Sequence, residues 1–245
     1  MQKDKRTAVV TGASRGIGAA IARRLAADGF CTIVNYVFGA EAAKHVVDTI
    51  TASGGTAHAV QADVSKPAGI RKLFDDAERH FGSVDVLVNN AGVLKVSPIA
   101  NVSDEDFEAQ VAVNFNGAFY GLREGARRVR DGGRIISLST SIVGTYMPAH
   151  GVYAATKAAV ETMTRVLAKE LGSRQIAVNA VSPGPVGTEL FLADRPEEMI
   201  RRIAADIPMG RLGEPEDIAR IVSFLAGPES GWVSGQIIRA NGGRN

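Results

Sequence analysis

Seven short runs rich in valine and isoleucine punctuate this chain from end to end: TAVVTG, CTIVNY, TAHAVQAD, VDVLVNNAG, RIISLST, IAVNAVSPG and GQIIRANGG. Longer stretches with helical patterning separate them. A strand that is apolar on both faces must be covered above and below, and helices joining parallel strands provide that cover. The alternation therefore predicts an α/β fold, a doubly wound parallel sheet of about seven strands with helices on both faces. The punctuation agrees: IGAAIARRLAADG ends on Gly29, and KPAGIRKLFDDAERHFG has Pro67 near its start and Gly82 past its end, where proline and glycine suit a helix. No linker, low-complexity tract or internal repeat divides the pattern, so residues 1–245 are expected to form a single domain.

A chain of 245 residues buries roughly three quarters of its unfolded surface, enough for a sizeable core. The one cysteine, Cys31, lies in the apolar run CTIVNY and reads as a core residue; a disulfide framework is impossible, which suits a reducing compartment. Basic and acidic residues number 28 and 26 and are interspersed, so neither nucleic acid nor a membrane surface is an expected partner. The charged start MQKDKR passes straight into the first apolar run, with no room for a signal sequence, and no run reaches the length of a membrane span. A cytoplasmic protein is expected. The four histidines are scattered without a carboxylate cluster, so no metal site is expected.

The first apolar run leads through TGASRGIG, Thr11 to Gly18, directly into a helix. Gly12 permits the tight turn, Gly16 lets the backbone approach a pyrophosphate, and Gly18 allows close packing of the helix, whose N-terminus offers N–H groups to an anion. Strand, turn and helix together point to a dinucleotide site in a Rossmann-type sheet. An NAD-selective site places a carboxylate at the end of the second strand to bind the ribose 2′-hydroxyl, whereas a 2′-phosphate seeks an arginine. Here Asn35 and Tyr36 stand at that end, and no acid follows before Glu41.

In GVYAATKAAV the alanines favour a helix, and a spacing of four puts Tyr153 and Lys157 on one face, a turn apart. An ammonium near a phenol lowers its pKa from about 10 toward neutrality, which would fit Tyr153 for proton transfer. On that motif alone a half-buried aromatic beside a solvated lysine is the plainer reading.

The remainder of the chain bears on the choice. The G-x3-G-x-G spacing, NNAG at Asn89 to Gly92, Asn114 in VNFNGAF, YxxxK at Tyr153 and PGPVGT at Pro183 to Thr188 follow one another in the order of the short-chain dehydrogenase/reductase family, which the chain resembles from Arg6 to Gly243. The pattern is most similar to 3-oxoacyl-carrier-protein reductases. The resemblance implies a hydride exchanged between nicotinamide and a ketone or secondary alcohol, with Tyr153 as proton donor or acceptor. It implies that Lys157 lowers the tyrosine's pKa and bonds the nicotinamide ribose, that a serine holds the carbonyl oxygen, and that Asn114 supports a water relay behind the lysine. Arg15 resembles the basic residue of NADP-preferring members, so NADP(H) is expected over NAD(H). The cofactor-binding positions it implies are Gly12, Ser14, Arg15, Gly16, Ile17, Gly18, Asn35, Tyr36, Asp63, Val64, Asn90, Ala91, Gly92, Tyr153, Lys157, Pro183, Gly184, Val186 and Thr188. Asp63 would meet the adenine amino group or, on structural grounds alone, cap the helix beginning near Lys66. Thr188 would bond the nicotinamide carboxamide.

The serine has three candidates, because strand alternation leaves Ser137, Ser139 and Ser141 facing the same way. The family's usual ending, matched by Ile142, Val143 and Gly144, selects Ser141, twelve residues before Tyr153. His150 titrates near neutrality but reads as a pocket or loop residue, since the tyrosine already serves the proton. Residues 188–208 mix apolar and charged side chains and are expected to form a substrate lid, although Leu190 and Phe191 can equally be helix core.

Val93, Leu94, Val96, Tyr146, Met147, Leu190 and Phe191 suggest a mostly apolar pocket for a small to medium ketone or a 3-oxoacyl thioester. Arg128, Arg130 and Arg174 are candidates to dock an acidic carrier protein, with Asp131 standing where a further arginine is expected. A noncatalytic NADP-binding sensor is the alternative in another class, disfavoured because Asn114, Ser141, Tyr153 and Lys157 occur together. Reduction of a carbon–carbon double bond is disfavoured by the four-residue spacing of tyrosine and lysine. A homotetramer is implied, pairing the helices near 114–129 and 152–171.

Overall fold

The computed structural model describes residues 5–193 and 195–244; Met1 to Asp4, Asp194 of the expected lid, and Asn245 lie outside the described residues. All seven apolar runs are strands: β1 (Thr7–Val10), β2 (Cys31–Tyr36), β3 (Thr56–Gln61), β4 (Val84–Asn89), β5 (Val129–Leu138), β6 (Ala177–Pro183) and β7 (Ile237–Ala240). They form one sheet in the order β3-β2-β1-β4-β5-β6-β7, parallel at every pairing. Helices α1 (Gly16–Ala27), α2 (Ala40–Ala52) and α3 (Pro67–Phe81) follow the first three strands. Between β4 and β5 lie α4 (Asp104–Gln110), a π-helical turn at Val111–Gly117, and α5 (Ala118–Arg128). Then come α6 (Ile142–Thr145) and α7 (Gly151–Glu170) before β6, and α8 (Glu189–Leu192), α9 (Glu197–Ala205) and α10 (Pro215–Ala226) before β7.

The two-faced burial inferred from the sequence is visible along β1. Ala8 and Val10 pack with Ile21, Leu25, Val222 and Leu225 of α1 and α10, while the intervening Val9 joins Leu73, Phe74 and Leu122 of α3 and α5 on the other face. Each cluster is a separate core, one per face of the sheet. Burying side chains on both faces is worth about 25 cal/mol per Å² of apolar surface, which is why these strands read as continuous apolar runs.

The strand order runs outward from β1 to β3 and then resumes on β1's other side at β4. A crevice opens outside the carboxyl ends where the order reverses. The glycine turn after β1 and the NNAG segment at the end of β4 leave the sheet side by side there, tied by Asn90 N donating to Thr11 Oγ1 at 2.9 Å.

Candidate active site at the carboxyl edge of the sheet

The turn after β1 is built as its glycines require. Gly12 has φ +61°, a left-handed conformation that side chains resist, and its N–H donates to Asn35 Oδ1 at 3.0 Å. A Cβ on Gly18 would stand 2.3 Å from Gly12 O and 2.5 Å from Asn90 Nδ2, so only glycine lets α1 begin so near the turn. Asn90 completes the clamp, donating from Nδ2 to Thr11 O at 2.8 Å and Gly12 O at 3.1 Å. No side chain caps α1; Arg15, its N-cap residue, is exposed, and Ser14, Gly16 and Ile17 are half-buried. An uncapped helix N-terminus behind a glycine cradle fits a pyrophosphate.

Several expected cofactor residues turn out to face inward. Asn35 is 1% exposed; its amide donates to Val60 O and Ala62 O while its oxygen holds Gly12, so it braces the turn from behind and does not point at a ribose. Val64 and Val186 have buried side chains in the two cores, and Pro183 ends β6 with its carbonyl accepting from Ser141 N at 2.8 Å. Tyr36 is half-buried and Asp63 exposed at the edge. Asp63 is not the N-cap of α3: that residue is Lys66, and the Asp63 carboxylate accepts from Ser65 N at 2.9 Å in a local turn. The neutral end of β2 and the exposed Arg15 leave no carboxylate to repel a 2′-phosphate there.

Asn114 sits in the π-helical turn, a wider coil than the plain helix expected from sequence. It is 1% exposed and clamps Val93 reciprocally, accepting from Val93 N and donating to Val93 O, both at 2.8 Å. A Cβ on Gly92 would lie 3.3 Å from Asn114 Oδ1 and 3.4 Å from Lys157 Nζ, so Gly92 marks where β4's loop, the π turn and α7 meet. Ala91 N donates to Thr11 Oγ1. Gly184 N donates to Ala240 O, and Thr188 caps α8 by accepting from Phe191 N while its methyl would lie 3.4 Å from a Cβ on Gly16. The loop after β6 thereby closes over the glycine turn.

Tyr153 and Lys157 lie on α7 as their spacing predicts, with Lys157 Nζ 6.0 Å from the Tyr153 ring centroid. The electrostatic expectation fails. Burial pushes the Tyr153 phenol up to about 12, opposed by a hydrogen bond with Thr140, and pushes the Lys157 ammonium down to about 8. Desolvation dominates both groups, and Lys157, 4% exposed, donates to Leu138 O at 2.7 Å, not to the phenol.

The three serines are not equivalent, since β5 ends at Leu138 and the alternation ends with it. Ser137 is buried inside the sheet; Ser139 donates to Glu161 Oε1 at 2.6 Å; Ser141 stands at the N-cap of α6, outside the strand. Two residues escaped the sequence reading. Thr140, the hydroxyl that meets Tyr153, sits within a run of hydroxyls where nothing singles it out; Glu161 lies four residues after Lys157, a spacing that puts it on the same face of α7. His150 is buried, with Nδ1 2.9 Å from Pro148 O, and belongs to the loop.

The proposed docking arginines are already paired. Arg128 holds Glu78 and Asp75, Arg130 holds Asp85, and Arg174 holds Asp131 at 2.7 Å. None offers a free charge to an acidic carrier protein, and all three stand by the start of β5, away from Ser141 beyond its end. A groove of about 400 Å³ between α1, α2 and α10 gathers none of the motif residues. Among the described residues no group of three or more His, Cys, Asp or Glu side chains could hold a metal, and no helix is long and apolar enough to cross a membrane.

Comparison with known proteins agrees with this geometry. A family model described as Enoyl-(Acyl carrier protein) reductase matches residues 12–245. An NADPH-dependent aldehyde reductase-like protein of Arabidopsis thaliana is 46% identical over 252 residues, covering 97% of this chain and 93% of its own. A versicolorin reductase of Emericella nidulans is 41% identical, covering 98% and 96%. A blue fluorescent protein from a metagenomic library, solved in complex with NADPH, superposes with a TM-score of 0.92 at 39% identity, covering 98% of this chain and 97% of that one. The chain belongs to the short-chain dehydrogenase/reductase family of oxidoreductases.

Proposed function

We propose that this protein is an NADP(H)-dependent reductase of ketones or aldehydes, working as one catalytic domain with residues 188–208 as its lid. The observation that carries the reading is that Lys157 and Asn114 meet at Gly92 in the loop after β4, while the Tyr153 phenol bonds Thr140, the residue before Ser141. When bound, NADPH would supply the hydride for the carbonyl carbon. Tyr153 gives its proton to the carbonyl oxygen; with the phenol near 12 it is protonated throughout the neutral range, as an acid catalyst must be. Ser141 holds that oxygen as charge develops on it, and Thr140 orients the phenol. Lys157, charged below about 8, would hydrogen-bond the nicotinamide ribose, and Asn114 fixes the loop after β4 through Val93 and would support a water relay behind Lys157.

Arg15 binds the 2′-phosphate, supported by its exposure at the turn, by the absence of an acid at the end of β2, and by NADPH in the relatives' names. The substrate is an apolar ketone or aldehyde; a free 3-oxoacyl thioester fits better than one on a carrier protein, given the paired arginines. The protein acts in the cytoplasm as a homotetramer. Replacing Arg15 with Ala should raise the Kd for NADPH about tenfold or more, the loss of a charge-assisted contact, and leave that for NADH within twofold. Equal weakening of both would remove Arg15 from cofactor choice.

A further inference from the structure

The segment joining Ser141 to Tyr153 contains two non-glycine residues in left-handed conformations, Tyr146 at φ +50° and Ala149 at φ +64°. Tyr146 is the C-cap of α6, where glycine or asparagine normally stands because a Cβ is strained there. It is also 83% exposed, so the strain brings no burial in return. The turn is held at both ends: Tyr146 N donates to Ile142 O at 3.0 Å, and Ala149 O accepts from Ser97 N at 2.9 Å across the mouth of the site. Val96 and Ile99, in the segment that meets this loop through Ser97 and Gly151, and Met147 are exposed as well. A bulky ring held against its backbone preference, in the segment that joins Ser141 to Tyr153, is a local rule broken where function is expected to break it.

Resting on the reductase reading above, we propose that Tyr146 is a specificity-determining residue whose ring stacks on the flat face of a conjugated substrate, selecting aryl ketones over aliphatic ones. A tyrosine ring is rigid and amphipathic, and an aromatic pair adds about 0.5–1.5 kcal/mol beyond area burial, which converts to roughly two- to twelvefold in affinity. The exposed aliphatic side chains around it cover the rest of such a substrate without reading its shape.

The test compares wild type, Tyr146→Phe and Tyr146→Gly on 1-tetralone and cyclohexanone with NADPH, together with thermal melts and calorimetric binding of both ketones. Tyr146→Gly should melt higher by about 2–4 °C as the strain is relieved. It should raise KM and Kd for 1-tetralone about tenfold while values for cyclohexanone stay within twofold; Tyr146→Phe should keep the wild-type preference. A lower melting temperature, equal losses on both ketones, or no loss on 1-tetralone overturns the proposal. If the wild type reduces neither ketone, the reductase reading is what fails, and the binding series still decides: an unchanged or absent affinity for 1-tetralone overturns the role given to Tyr146.

Discussion

Lys157 shows how a single residue can serve the site at the fold's expense. Its ammonium is buried and pushed down from its ordinary 10.5 to about 8. Because the folded pKa lies below the unfolded one, the unfolded chain binds more protons between about pH 8 and 10.5, and stability rises with pH across that window. Below about 8 the penalty is present in full. Lys157→Met should therefore raise stability at pH 7 by on the order of 2 kcal/mol, seen in urea midpoints, with the gain shrinking to nothing as pH approaches 10.5. A variant less stable than wild type at pH 7 would show that the bond to Leu138 O outweighs the buried charge. The spacing of Tyr153 and Lys157 was legible in the sequence; the direction of their pKa shifts was not, because desolvation depends on what covers the pair, and Leu138, Thr140 and the π turn come from other parts of the chain. The choice among the serines rests on family resemblance alone, since period-two alternation has no meaning once β5 has ended.

At the scale of elements, the turn between β1 and α1 was the most legible part of the chain, because glycine there answers to steric limits within a few residues. Gly18→Ala tests those limits: its methyl would meet Gly12 O and Asn90 Nδ2, pushing α1 off the turn. The expected cost is about 1–3 kcal/mol by thermal melt, with affinity for NADPH reduced at least tenfold. Wild-type stability with wild-type binding would mean that the cradle is looser than the structure describes. The π-helical turn carrying Asn114 could not be read beforehand, because its residues suit an ordinary helix and only the clamp on Val93 shows what the wider coil achieves. Asn35 was misplaced for a related reason: strand alternation locates a residue at the end of β2 but does not say that its amide will be drawn inward by Gly12, Val60 and Ala62.

For the whole molecule, the strands and their double-faced burial followed from composition and period, whereas their order in the sheet depends on long-range packing that no local pattern records. The surface carries a further expectation. Phe115 and Phe119 sit one turn apart along the π turn and α5, Val166 is 51% exposed on α7, and Trp232 before β7 is fully exposed. Phe115, Phe119 and Val166 lie on the helices that the family resemblance pairs between subunits, so light scattering should give about 103 kDa, four times 25.7 kDa. A 25.7 kDa particle would refute the tetramer. The central claim, proton donation by Tyr153 to a carbonyl, is tested most directly by following NADPH oxidation at saturating ketone for wild type and Tyr153→Phe, with NADPH binding measured in parallel. The account predicts that the variant binds NADPH as tightly as wild type and loses about 10²–10⁴ in kcat; a variant that turns over at the wild-type rate would contradict it.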